Sequence, residues 1–323
     1  MANFEYCAAI RTLGTAGEKY LTTLKSLQSQ TIPPKKILVY IAKGYPLPKE
    51  TIGTEQYIYV NKGMVAQRAL PYEEVDTDYI LCLDDDLYFP PDMIEKLYKS
   101  LSEYNADCIS PNIYPNHQGS LKWKLTEAFS AFTLPMHSDK WAFRIRKSGA
   151  YSYNNNPTHD AYLSQSASWA CFLCKLSAFK DISFQDELWM DTFKYSFGDD
   201  QLFYYKLYIN GHKVLVHYNT GIVHLSAKSS HIKNLKGHVY VKAQTDYIIW
   251  HRTCYAPLKG IIEKYCTAIA YICKIATKTL FNIVYGISKR KLLYPIWSIQ
   301  GLMKGIRFTK SPQYRNLANF KIA

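Results

Sequence analysis

Apolar positions along this chain come in two arrangements, short unbroken runs and longer stretches with one apolar stripe every three or four residues. Phe4 to Ile10, interrupted only by Glu5, is the first such run and predicts a strand. After a loop with Gly14 and Gly17, Glu18 to Ser29 places Tyr20, Leu21, Leu24 and Leu27 on one stripe, which predicts a helix. Pro33-Pro34 ends that unit. Lys36 to Ala42 predicts a second strand and Gln56 to Val60 a third, with a helix expected over Met64 to Glu74. Tyr79 to Leu83 is apolar or aromatic throughout and suits a buried strand. A helix from about Pro91 to Tyr104, opened by a proline pair, and a strand over Asp107 to Ile113 follow. Strands and helices alternating at these lengths predict an α/β domain, a Rossmann-like, mostly parallel sheet with flanking helices.

The pattern loosens from Tyr114 to about Gln165, where Tyr151 to Pro157 is turn-rich. Such a stretch is read as a lid or binding loop, or as disorder. Order returns with a strand-like run over Ala167 to Leu176 and a helix over Gln201 to Ile209 that stops at Asn210-Gly211. Strands are expected at Lys213 to His217 and Gly221 to Leu225. Pro257 to Ile287 is apolar but interrupted by Lys264, Lys274 and Lys278. At 100° per residue these lysines span about 80°, opposite Ile261, Ile269, Ile272, Ala276 and Ile283. That is an amphipathic helix. Ser288 to Lys291 then leads into a second apolar run with Trp297.

Charge sharpens the division. The chain of 323 residues carries +13, yet from His251 onward 13 Lys and Arg face one acid, Glu263, a net of +12. The first 250 residues are nearly neutral, with 26 basic and 25 acidic side chains. The expected organisation is therefore a domain over 1–250 and a basic amphipathic helical region over 251–323. An excess of this kind calls for an anionic partner, lipid or nucleic acid. No nucleic-acid-binding module is recognised, so lipid is favoured. The N-terminus has no basic region followed by a long apolar core, and the eight cysteines lie mostly in apolar runs. Both point to reduced thiols in the cytoplasm. Cys171 and Cys174 have CxxC spacing, but on a strand they face opposite sides and read as packing.

The candidate chemistry sits at the end of the Tyr79 strand, where Asp84-Asp85-Asp86 follow at once. Concentrated negative charge at the carboxyl edge of a sheet needs a counter-charge, and open α/β sheets bind ligands at that edge. A hard divalent cation, Mg²⁺ or Mn²⁺, suits oxygen ligands of this kind. The other reading is a solvated acidic turn.

Taken together, several pieces resemble the family 2 glycosyltransferases with their GT-A fold, over roughly the first 250 residues. They are Ser26 to Pro34 after the first helix, the Asp84-Asp85-Asp86 strand end, Phe197-Gly198-Asp199-Asp200 followed by Gly211, and Val223-His224. The resemblance implies inverting transfer of a sugar from a nucleotide-diphosphate donor to a hydroxyl acceptor. It implies Asp86 as the metal carboxylate, Asp84 as the residue touching donor ribose or sugar, and Asp85 in either role. It implies His224 as a further ligand of metal or diphosphate, the alternative being a strand-capping histidine. Asp200 matches the family's general base and Asp199 stands where a Glu is common; the alternative is a helix N-cap. Arg68 matches a donor-contacting arginine, against a surface helix arginine. Arg11 is a weaker candidate for the diphosphate and reads better as a solvated loop residue. One departure is plain. The family's acid after the second strand is absent from Tyr40-Ile41-Ala42-Lys43-Gly44, so base recognition differs.

These implications predict an enzyme of glycan or polysaccharide synthesis using a nucleotide-sugar donor and a glycan or lipid-linked acceptor. The basic tail puts it peripherally at the inner face of an anionic membrane, or else packs on its own domain. A sugar nucleotidyltransferase and a non-catalytic glycan- or lipid-binding module are the competing classes. The first wants a phosphate loop for which Gly14 and Gly17 are a thin match, and the second leaves Asp84, Asp86 and Asp200 unexplained.

Overall fold

The structure is a computed structural model that describes residues 4–113, 140–154, 156–225, 235–318 and 320. Its frame is an eight-stranded sheet. The strands are β1 (Tyr6–Thr12), β2 (Lys36–Ala42), β3 (Glu55–Val60), β4 (Tyr79–Asp84), β6 (Cys108–Pro111), β9 (Ala161–Leu163), β10 (Cys171–Lys175) and β11 (Val214–His217). They lie in the order β3-β2-β1-β4-β10-β6-β11-β9. β3, β2, β1 and β4 are parallel, as are β6 and β11. β10 runs antiparallel between β4 and β6, and β9 closes the far edge antiparallel to β11. The expected mostly parallel sheet is what forms.

Both faces of the sheet are covered, which is why the central strands are apolar without alternation. Ala8, Ile10, Leu81 and Leu83 pack with Leu24 and Leu27 of α1 (Glu18–Gln28) and with Leu97 and Leu101 of α2 (Met93–Glu103). Cys7, Ala9, Ile80 and Cys82 face the other way, toward α3 (Leu176–Asp181), α4 (Asp199–Ile209) and α5 (Leu235–Trp250). Cys171 belongs to the first cluster and Cys174 to the second, so the CxxC pair is packing on opposite faces.

Three expectations change. Met64 to Glu74 forms turns, not a helix. Pro71 bars a helical continuation, Tyr72 takes φ 50°, and Asp191 accepts the backbone N–H of Val65 and Ala66 at 3.0 and 2.8 Å. Part of the loosened stretch, 114–139 and 155, lies outside the described residues. Its described part pairs β7 (Phe143–Ile145) with β8 (Tyr151–Tyr153) as a hairpin, so Tyr151 to Tyr153 is strand. The third change is in the tail. After a π-helical turn (His251–Tyr255) come α6 (Ile261–Ser288), α7 (Tyr294–Thr309) and α8 (Pro312–Arg315). Lys274 and Lys278 of α6 turn inward to Asp246 on α5, at 3.0 and 3.6 Å. The lysine arc of this amphipathic helix is thus on the packed face, because the Asp246 carboxylate claims two of its three lysines.

The tail is tied to the core at a second place. Glu187, fully buried on a 3₁₀ segment (Phe184–Thr192), receives Nε and Nη2 of Arg252 at 3.0 and 2.7 Å and Nε1 of Trp189 at 2.8 Å. Phe320 covers the Arg252 guanidinium at 4.7 Å.

Candidate active site

β1 and β4 are parallel neighbours in register, so Arg11 stands beside Asp84 at their carboxyl ends. Here the chain order reverses about the sheet, the place where open α/β sheets take ligands. Arg11 is not solvated: its guanidinium donates to Asp84 Oδ1 at 2.5 Å. Past Asp84 the chain turns through Asp85 and Asp86 into β5 (Leu87–Tyr88), which pairs antiparallel with β12 (Val223–His224). That two-stranded ribbon sets His224 opposite Leu87 and brings its Nε2 to 3.0 Å from Asp86 Oδ1. The Leu225 N–H donates to the Asp86 carbonyl at 2.8 Å, which fixes the turn. One donor atom each from Asp84, Asp86 and His224 then lies within 4.8 Å of the others.

The three acids are not equivalent. Asp85 accepts a hydrogen bond from Thr12 Oγ1 at 2.5 Å. Burial, added to by Asp84 and Asp86, nonetheless pushes its carboxyl up to about 6. Asp86 is buried and engages His224, whose imidazolium is favoured by that hydrogen bond and so has a raised pKa. The two carboxylates offer oxygen ligands that suit Mn²⁺ or Mg²⁺, and the imidazole nitrogen, once it gives up its proton, completes a donor set for the softer Mn²⁺.

The opposite wall comes from α4. Its N-cap is Gly198 at φ 86°, where an added Cβ would lie 2.4 Å from Ile249 Cδ1. Neither acid is therefore the N-cap that one reading supposed. Asp199 and Asp200 both occupy the first turn, where the helix dipole favours negative charge. Asp199 is buried against Arg68, and the two form an ion pair. Asp200 accepts the Gln201 N–H at 2.9 Å. Burial raises its pKa, while Arg68 opposes the rise.

Arg68 joins the two walls. It is buried, not a surface helix residue, and its guanidinium sits 4.8 Å from the Trp169 ring. Burial lowers it to about 9, with Arg11 acting the same way and Asp84 and Asp200 against it. Thr12, Trp169 and Asp191 are site-building residues that no pattern singled out. Asp191 holds the turn carrying Arg68 from 126 residues away in sequence, by accepting from Val65. Ser196 Oγ donates to the same carboxylate at 2.9 Å.

Residues 59–172 match the family model described as glycosyl transferase family 2. Over that stretch, about a third of its length, the chain is similar to the family 2 glycosyltransferases. The match takes in Arg68 and the Asp84-Asp85-Asp86 turn, the one piece of the sequence resemblance that falls inside it. Asp199, Asp200 and His224 lie beyond it and are placed by geometry alone. Hyaluronan synthase of Streptococcus pyogenes is 27% identical over 140 residues, 39% of this chain. The chain spans about a third of the length of the curated relatives it matches, 33% of that synthase. Among solved structures, S. aureus TarS 1-349 in complex with UDP-GlcNAc superposes with a TM-score of 0.53 at 15% identity. The likeness covers 94% of this chain and 81% of TarS 1-349. TarS 1-349 in a second structure gives a TM-score of 0.50 at 14% identity. The chain therefore has a GT-A fold, followed by a helical C-terminal region.

Proposed function

We propose that this chain transfers a glycosyl group, with inversion, from a nucleotide-diphosphate sugar to a hydroxyl acceptor in glycan or polysaccharide synthesis. The observation that carries the reading is the trio Asp84, Asp86 and His224 at the sheet's carboxyl edge, with Arg11 and Arg68 beside it. Asp84, Asp86 and His224 would hold a divalent cation, Mn²⁺ or Mg²⁺. When bound, the cation supplies charge stabilisation for the departing nucleotide diphosphate.

The chain's own residues supply the rest. Arg11 and Arg68, both tied to carboxylates, present fixed positive charge toward the diphosphate, and Asp84 and Asp85 orient the donor. Asp200 takes the proton of the attacking hydroxyl. Its raised pKa suits a base better than an ordinary exposed aspartate does. Asp199 holds Arg68 and stands next in line for the same proton. The partners that go with this reading are a glycan or lipid-linked acceptor and an anionic membrane surface, met from the cytoplasmic side. A screen of nucleotide sugars with Mn²⁺ or Mg²⁺, reading released nucleotide diphosphate, tests it. Release that chelation abolishes supports the reading. Pyrophosphate release from a nucleoside triphosphate and a sugar phosphate would replace it with nucleotidyl transfer, and sugar binding without release would leave a binding module.

A further inference from the structure

The helix α6 is built inside out. Its inward stripe is Lys264, Thr267, Tyr271, Lys274, Lys278, Asn282 and Gly286, mostly polar. There Tyr271 stacks on Trp250 with ring centroids 4.0 Å apart, and Lys274 and Lys278 meet Asp246. The outward face carries Ile262, Ile269, Ile272, Leu280, Val284 and Ile287, all exposed, with Ile262 at 74%. A soluble helix packed on its domain has the reverse arrangement. The ridge continues onto α7 through Ile296, Ile299 and Met303. An exposed apolar surface of this extent marks an interaction site.

We propose that this ridge lies in the plane of an anionic bilayer, immersed to the acyl boundary, and that α6 does not cross the membrane. Charge chooses the occupant. Lys289, Arg290 and Lys291 at the turn after α6, with Lys304 and Arg307 on α7 and Lys310 just after it, are exposed beside the ridge. A second copy of the chain docking there would set these basic groups against their own kind, whereas anionic headgroups complement them. Length and hydropathy alone would let Ile261–Ser288 span a bilayer. Three attachments prevent it. Lys274 and Lys278 hold the middle of α6 to α5, and α5 contributes Ile248 and Ile249 to the domain core. After α6 the chain returns at once, and α7 closes on α5 where Gly301 and Gly305 allow backbone contact. A Cβ on Gly301 would lie 2.1 Å from the Tyr240 carbonyl oxygen. Both ends of α6 are thus kept on one side. The contact differs from a lysine-driven one, because Lys274 and Lys278 are spent on Asp246 and the immersed surface is apolar.

Flotation of the full chain with vesicles of phosphatidylcholine, with and without phosphatidylglycerol, tests the proposal and needs no nucleotide sugar, so its outcome is separate from the sugar-transfer reading. The chain is expected to float with anionic vesicles at about 0.1 M salt and to remain largely bound at about 1 M, because screening leaves the apolar term intact. Ile272→Glu with Val284→Glu, at exposed positions that leave the fold intact by circular dichroism, should lower binding at least about tenfold. Unchanged flotation of that folded variant would overturn the proposal, as would a wild-type dimer by sedimentation that floats with neither vesicle. The in-plane claim has its own readout. With vesicles added to Lys259→Cys and Ser288→Cys chains, a membrane-impermeant maleimide should label both cysteines from outside, read by peptide mass spectrometry. Labelling of one alone would show a crossing helix and overturn it.

Discussion

Asp84, Asp85 and Asp86 are consecutive, yet each has a different partner, and the partner decides what each can do. Asp86 lies between the end of β4 and the ribbon that delivers His224, so it is the acid on which the proposed cation site most depends. Calorimetry of Asp86→Ala with donor and Mn²⁺ should show much weaker donor binding than wild type; equal affinity would remove Asp86 from the site. Asp200→Asn should leave donor binding intact and slow transfer by about 10²–10⁴, the usual worth of general-base help. Near-normal turnover of a folded Asp200→Asn enzyme would pass the role to Asp199. The acid triplet was legible in the sequence because charge stops a buried strand abruptly. Trp169 and Thr12 were not, since a tryptophan among serines or a threonine at a strand end looks the same whether or not an arginine or an aspartate comes to meet it.

At the scale of elements, the strands and most helices follow from apolar periodicity, and the misread segment shows where periodicity fails. Met64 to Glu74 has helical spacing, but only about one turn winds before Pro71 ends it, and that turn is anchored by Asp191 through the Val65 and Ala66 N–H groups, a tie that no local pattern reveals. That carboxylate therefore positions Arg68 without touching it. Asp191→Ala removes the acceptor for two backbone donors and for Ser196, at a cost of about 1–3 kcal/mol per group left buried without a partner. The variant should lose donor affinity along with thermal stability, while Asp191→Asn, which keeps one acceptor oxygen, should retain part of both. A variant that loses stability while binding donor normally would show the turn to be structural only. The antiparallel insertion of β10 was equally hidden, because strand direction is set by the connections and not by the residues of the strand.

For the molecule as a whole, the sequence's division at residue 250 marks a change in charge, and the structure carries the packing across it. Arg252 lies just beyond that point and is the main counter-charge for Glu187, whose carboxyl is wholly buried. Burial alone would raise the Glu187 pKa, but Arg252, Lys206 and the Trp189 hydrogen bond outweigh it and hold it below the ordinary glutamate value. A group depressed in the folded state stabilises fully above its unfolded pKa, about 4.3 for glutamate, and loses that contribution as pH falls through the folded value. Arg252→Met should therefore do two things. It should lower stability by about 3–5 kcal/mol near neutral pH, the cost of leaving a buried charge without its partner. It should also flatten the acid limb of the stability curve below about pH 4, because Glu187 then protonates far more readily in the native state. Denaturant melts across pH separate the two effects. Wild-type stability in the variant would mean that Lys206, 3.2 Å from Glu187, suffices alone. The same pair explains why a chain cut after Trp250 is a poor test of membrane binding: it removes Arg252 and Phe320 from the core along with the helical ridge, so it should unfold before it fails to bind.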